Sequence, residues 1–219
     1  MTTSMNSNLK FAAFSKPARR VFAVAITLLA GVLVNTHAMA MTPPEDVVKN
    51  TVDAIVNNIQ ANRATYKADN NKLYKMVEDT LVPAIHVPRM AKLILGAHVG
   101  KSSEAQIAEF SREFQTFLMR SYATALLEYT GSEKVNYLPV DRKPNDDKVV
   151  IKAELVSSEG QAYPVNLYMS NRRDTQWRAY NMEVAGINFV STYRATFKNT
   201  LDTKGIAGLI ADLKLKNAG

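Results

Sequence analysis

The chain has no cysteine in 219 residues. Disulfide scaffolds, thiol nucleophiles and cysteine zinc sites are therefore excluded, as is the lipid-modified cysteine that tethers a bacterial lipoprotein. Histidine is nearly as scarce. Only His86 and His98 lie beyond residue 40, and their spacing is not that of two zinc ligands one helical turn apart. No Gly-x-Ser-x-Gly elbow occurs, so a serine-hydrolase reading has no nucleophile to start from. The apolar run Val21 to Val34 spans 14 residues, short of the roughly 20 that a membrane-crossing helix needs. Acidic residues are missing from the first 40 positions, where the charges are Lys10, Lys16, Arg19 and Arg20.

What is present is globular in composition, with 47% hydrophobic and 21% charged residues. The whole chain carries 27 Lys+Arg against 20 Asp+Glu, or +7, and without its four N-terminal cations the balance is 23 against 20, or +3. Those first 40 residues read as a secretory signal: a basic stretch, a short apolar run and the small-residue pattern Ala38-Met39-Ala40. Cleavage is expected after Ala40, releasing the remainder into an oxidising exported compartment. Arg19-Arg20 leaves twin-arginine export open beside general secretion.

Helical periodicity dominates the next stretch. Thr42 is expected to cap a helix with Pro43, Pro44 and Glu45 in its first turn, carrying Val48, Val52, Ile55 and Ile59 on one face. Asp69 to Ile85 predicts a second helix, and Arg89 to Leu95 a third that ends at Gly96. Ser103 with Gln106 forms a capping box for a fourth, whose stripe of Phe110, Phe114, Phe117, Tyr122 and Tyr129 runs to Gly131. The period then shortens to 2. Val135 to Val140, Val149 to Val156, Tyr163 to Ser170 and Gln176 to Val184 predict four strands of an antiparallel meander, with Gly186 ending the sheet. Phe189 to Leu201 and Ile206 to Leu213 predict two closing helices. The organisation is thus 41–131 mostly helical, 132–185 sheet and 186–215 helical, an α+β fold with helices on one face of the sheet.

Charge chemistry is sparse. Asp146-Asp147 sits in a polar loop and reads as a solvated turn, while Glu154 and Glu183 alternate with apolar strand residues and fall on polar faces. No aromatic and basic strand motif for nucleic acid occurs, so none is expected as a partner. Arg172-Arg173 and Lys214/Lys216 read as a turn and a solvated helix end, or as contacts for an anionic surface. The apolar supply stands out instead: 8 Phe, 9 Tyr and 9 Met. In a thin α+β layer structure it either fills a core or lines a cavity between sheet and helices.

Trp177-Arg-Ala-Tyr-Asn-Met-Glu-Val-Ala-Gly-Ile-Asn-Phe-Val-Ser-Thr-Tyr-Arg-Ala-Thr-Phe197 and Lys204-Gly-Ile-Ala-Gly-Leu-Ile210 resemble the MlaC, or toluene-tolerance, family, as do Met90 to Gly96 and the series Gln106, Phe110, Phe114, Tyr122. The likeness spans nearly all of residues 43 to 215. Its most specific part is Trp-x-x-Tyr-(Asp/Asn)-x-x-x-x-Gly-(Ile/Val). Departures are Asn181 where the family usually has Asp, His86 near a usual Asp, and Val99 where Trp is common.

The resemblance implies an NTF2-like sheet with a helical subdomain enclosing acyl chains. It implies a soluble periplasmic phospholipid shuttle that is no enzyme and needs no cofactor. The partners it implies are an inner-membrane ABC transporter complex and an outer-membrane lipoprotein–porin complex. A diacyl phospholipid presents about 30 methylenes, and at about 0.8 kcal/mol each their exposure costs on the order of 24 kcal/mol, which a carrier must hide. The lipid-binding residues expected are Val165, Leu167 and Met169 on one strand, Tyr180, Met182 and Val184 on the next, and Ile187 and Val190 beyond them. From the helices, Leu93, Phe110, Phe114, Phe117 and Tyr122 are expected to join them. A small-molecule enzyme built on the same cavity and an interaction subunit with a filled core are the competing readings.

Overall fold

The computed structural model describes residues 41–172 and 174–218. The leader and cleavage point expected over residues 1–40 lie outside these.

Helix α1 covers Pro44–Ala68. Pro43, not Thr42, occupies the capping position, and no side chain caps the helix. A proline in the first turn gives up no intrahelical bond, and Glu45 and Asp46 face the positive end of the helix dipole, so the start needs no hydroxyl. Helix α2, Asn70–Leu81, is capped by the Asp69 carboxylate, which accepts from the Asn71 N–H at 2.9 Å. It stops short of the expected Ile85 because Pro83 tightens the chain into the 3₁₀ turn Val82–Ala84. Helix α3, Val87–Leu95, ends at Gly96. Helix α4, Glu104–Tyr122, opens on the expected capping box: Ser103 N–H donates to Gln106 Oε1 at 2.9 Å, and Gln106 N–H donates to Ser103 Oγ at 3.1 Å. It gives way to a 3₁₀ segment, Ala123–Glu128, whose last carbonyls and that of Tyr129 are drawn in by the Arg63 guanidinium, a donor to both Leu127 and Tyr129.

The strands are β1 Lys134–Tyr137, β2 Lys148–Val156, β3 Ala162–Ser170, β4 Arg178–Val184 and β5 Ile187–Asn188, hydrogen-bonded in that order as a five-stranded antiparallel meander. The fifth strand was not expected. Gly186 does not end the sheet but turns it: Ala185 at φ 49° and Gly186 at φ 80° form a tight hairpin that pairs Val184 with Ile187. A bulge interrupts β4 as well, since Tyr168 pairs with Asn181 whereas the next residue, Met169, pairs with Ala179. Tyr180 is the extra residue, and its side chain no longer shares the face of Met182.

The last helix, α5, spans Phe189–Ala218 and is broken at Gly205, where φ 66° and ψ −172° fall in a region that only glycine adopts readily. The two halves correspond to the two helices expected. The Phe189 to Lys204 half carries Val190, Tyr193, Phe197 and Leu201 into the core, and the second half adds Ile206, Leu209, Ile210 and Leu213.

Three apolar clusters result. The largest joins α3, α4 and α5 through a ring cluster in which Phe114 lies 5.6 Å from Phe110, 5.0 Å from Tyr193 and 5.8 Å from Phe197. A second joins α1 to α2 around Ile59, Leu73 and Met76. The third sets Val48 of α1 on the sheet against Val149, Ile151, Met169 and Trp177. Between α2 and α3 the chain touches the sheet once: His86 N–H donates to the Ala179 carbonyl at 2.8 Å, and Ile85 forms an isolated parallel bridge to Ala179.

Two predictions follow from these geometries. Gly205→Ala forces a Cβ into a glycine-only conformation and is expected to cost about 1–3 kcal/mol, read as a lower urea midpoint at unchanged slope. His86 is the second case. Its Nδ1 accepts the Arg89 N–H at 3.2 Å as the cap of α3, and burial, with Arg178 and Arg89 nearby and Asp174 opposing them, holds its pKa below the ordinary histidine value. The unfolded chain therefore binds a proton more readily than the folded one. Stability should be full above about pH 6.5 and fall as pH drops below it, and His86→Asn, which keeps a capping acceptor but does not titrate, should flatten that part of the unfolding profile.

Candidate functional site

Between the helical layer and the sheet lies a cavity of about 390 Å³, open to solvent along part of its boundary. That volume is in the range of small-molecule sites. Its walls come from every layer. Helix α1 contributes Val47, Val48, Val52 and Ile55; α2 contributes Val77 and Leu81; the linker contributes Val82, Ala84 and Ile85; α3 contributes Val87 and Met90. From α4 come Phe114, Leu118, Met119 and Tyr122, and from the sheet Leu167, Met169, Ala179 and Met182. Among the described residues no charged side chain lines it.

The polar side chains in its wall are bound to the protein itself. Thr51 Oγ1 donates to the Val47 carbonyl at 2.7 Å, back along its own helix. Gln115 Nε2 donates to Glu78 at 3.3 Å. Asn181 Oδ1 accepts from the backbone N–H of Met182 at 2.9 Å and of Val190 at 3.1 Å, and its amide donates to Asn188 Oδ1 at 3.3 Å. The acceptor role at the start of α5 requires only an oxygen, which Asn supplies as well as Asp would. Tyr122 bonds to Tyr193, hydroxyl to hydroxyl, at 2.8 Å. Burial and that bond raise the Tyr193 pKa far above the ordinary phenol value, so it stays protonated. Such a surface offers an apolar ligand dispersion contact and exclusion of water. It presents no general base, no nucleophile beside a base, and, among the described residues, no group of three acidic or histidine side chains placed to hold a metal ion.

Of the residues expected at a binding site, the cavity brings together Phe114, Tyr122, Leu167, Met169 and Met182. The others lie elsewhere. Val165 and Val184 pair with each other on the face of Leu167 and Met182, one step beyond the cavity. Tyr180 is displaced by the bulge and stacks under the Arg89 guanidinium, whose centre lies 3.7 Å from the ring centroid. Ile187 is 66% exposed in the hairpin, so a charge placed there would meet water and not a cavity wall. Phe110 and Val190 are buried in the helical cluster, against which Leu93 and Phe117 also pack, and Lys216 Nζ sits 5.5 Å from the Phe117 ring. An aromatic helix stripe faces both a core and a hollow, and Phe114 and Tyr122 reach the hollow together with Gln115, Leu118 and Met119.

Sequence reasoning missed the α1 wall and the linker. Val48, Val52 and Ile55 were legible as an apolar stripe, but nothing in the sequence says that this stripe faces the sheet. The linker residues Val82 to Ile85 carried a better signal: a short apolar stretch that Pro83 breaks off from α2 must still find cover.

Residues 49–215 match the family model described as MlaC protein. The chain is 25% identical over 199 residues, 90% of its length and 92% of the relative's, to the "Intermembrane phospholipid transport system binding protein MlaC" of Haemophilus influenzae. It is 27% identical over 170 residues to the "Toluene tolerance protein ttg2D" of Pseudomonas putida, covering 76% of this chain and 77% of that one. A solved structure of a phospholipid-binding protein from Ralstonia solanacearum, in complex with a phospholipid, superposes with a TM-score of 0.71 at 22% identity, covering 79% of this chain and 96% of that one. It shares the fold. The motif that carried the resemblance now has a structural account, with Trp177 buried against α1, Asn181 tying β4 to α5 and Gly186 turning the hairpin. With the family model covering most of the described residues and the fold shared, this chain belongs to the MlaC family.

Proposed function

We propose that the chain is a phospholipid carrier: it holds the acyl chains of a diacyl phospholipid in the cavity between sheet and helices and shuttles the lipid between two membranes. The observation that carries this reading is the wall itself, apolar on every layer and free of charge. A wall of this kind binds by removing methylenes from water and does no chemistry on them, so the enzyme alternative lacks its reacting groups. The names of the relatives support the same reading, one as the binding protein of an intermembrane phospholipid transport system. Among the described residues no helix is long and apolar enough to cross a membrane. Export to the periplasm by the leader, removed after Ala40, belongs to this proposal, as does docking to an inner-membrane ABC transporter complex and an outer-membrane lipoprotein–porin complex.

Native mass spectrometry of the purified protein tests it, with co-purifying phospholipid the expected result. Ala179→Trp projects an indole from β4 into the hollow. The variant should fold with a change of no more than about 1–3 kcal/mol and emerge without lipid. A folded Ala179→Trp that retains wild-type lipid content, or a wild-type protein that carries no phospholipid, would overturn the reading. Because no charged group lines the site, zwitterionic and anionic phospholipids of equal chain length should exchange comparably in vesicle assays, and strong preference for one headgroup would contradict this.

A further inference from the structure

The hydroxyl pair at the cavity rim has an unequal division of hydrogens. Tyr193 is buried, 8% exposed, and its hydroxyl has one hydrogen-bond partner among the described residues, the Tyr122 hydroxyl. Two hydroxyls 2.8 Å apart share one hydrogen between them and leave the other free. If Tyr122 were the donor, the hydrogen of Tyr193, whose ring packs against Phe114, Phe117, Phe189 and Phe197, would be left without a partner among the described residues, and a buried unpaired donor costs about 1–3 kcal/mol. Either hydroxyl can donate, and the more buried Tyr193 is assigned as the donor with Tyr122 accepting, which leaves the hydrogen of the more exposed Tyr122 for another partner. Tyr122 is both a wall residue and 57% exposed, which places it where the apolar hollow meets water. The other polar wall residues are only partly exposed and are engaged with protein: Thr51 with Val47, Gln115 with Glu78, and Asn181 with Asn188 and two backbone N–H groups.

An amphiphile seated with its alkyl chains in the hollow puts its first polar atoms at this rim. We propose that Tyr122, oriented by Tyr193, is a recognition hydroxyl that donates to the first acceptor oxygen above the alkyl chains, an ester carbonyl or a phosphate oxygen. The inference rests on the carrier reading and extends it. The donor selects for an oxygen that all diacyl phospholipids share and ignores the variable headgroup. It also fixes how deep the ligand sits, because the alkyl chains extend from that oxygen into a hollow of fixed length.

The test compares wild type, Tyr122→Phe and Tyr193→Phe after delipidation, each first checked by circular dichroism. Three probes are titrated: a diester phosphatidylcholine, its diether analogue, and diphenylhexatriene, an apolar dye with no oxygen. Tyr122→Phe should weaken the diester lipid by roughly threefold to tenfold, the scale of one net hydrogen bond, and leave the dye unchanged. If the loss disappears with the diether lipid, the acceptor is the ester carbonyl; if it persists, the acceptor is phosphate. Either result supports the proposal. Tyr193→Phe keeps the outer hydroxyl and should retain more affinity for the diester lipid than Tyr122→Phe. Equal affinity of wild type and Tyr122→Phe for the diester lipid, or an equal loss for the dye, would overturn it. Failure of wild type to bind either lipid while still binding the dye would instead strike at the carrier reading.

Discussion

The fold has to keep two layers apart without letting them collapse onto each other. A hollow of about 390 Å³ left empty and dry would forfeit on the order of 9 kcal/mol by the scaling of cavity cost with volume, as much as the whole stability of many domains. What resists collapse is the ring cluster. Phe110, Phe114, Tyr193 and Phe197 lock α4 to α5 by stacked and edge-on contacts, so the helical layer has a core of its own and does not need the sheet to complete it. The sheet has a second support in the packing of Val48, itself at the edge of the hollow, with Trp177, which lies outside the lining. Helical layer and sheet are each secured elsewhere, and the space between them stays available.

That arrangement also explains how polar atoms are handled. A hollow meant for alkyl chains tolerates hydroxyls and amides in its wall only if their bonds are satisfied by protein. The bonds of Thr51 to its own helix, of Asn181 to the start of α5 and of Tyr193 to Tyr122 meet that requirement. The Asn181 bonds do a second job, tying the bulged strand to the helix that follows the hairpin.

The sequence showed its element types through capping and period. Ser103 and Gln106 marked the start of α4 because a capping box is a local, reciprocal bond, and alternation placed Leu167, Met169 and Met182 on one face because pleating is local too. Tyr180 lies outside the cavity lining because a bulge inserts one residue, and strict alternation cannot register an extra residue that no neighbouring side chain demands. Ile187 lies outside the cavity lining because Ala185 adopts a positive φ that its side chain does not advertise, so Ala185 and Gly186 together turn the chain into a hairpin. Phe110 and Val190, expected at the ligand, are buried in the helical cluster, and Leu93 and Phe117 pack partly buried against it. Periodicity reports which face of a helix is hidden, not whether it is hidden against side chains or around a hollow.

The single bridge between Ile85 and Ala179 has a consequence for how such a protein can diversify. Three wall positions, Val82, Ala84 and Ile85, sit on a short connector that is bridged to the ladder at Ala179 and packs on the helical core through Ile85. Frame and lining are thus encoded by different stretches of chain. Exchanging a valine for an alanine or a leucine in the connector alters the depth of the hollow while every strand register and every ring contact is preserved. Ligand length can drift by small steps in one loop, with the architecture inherited intact.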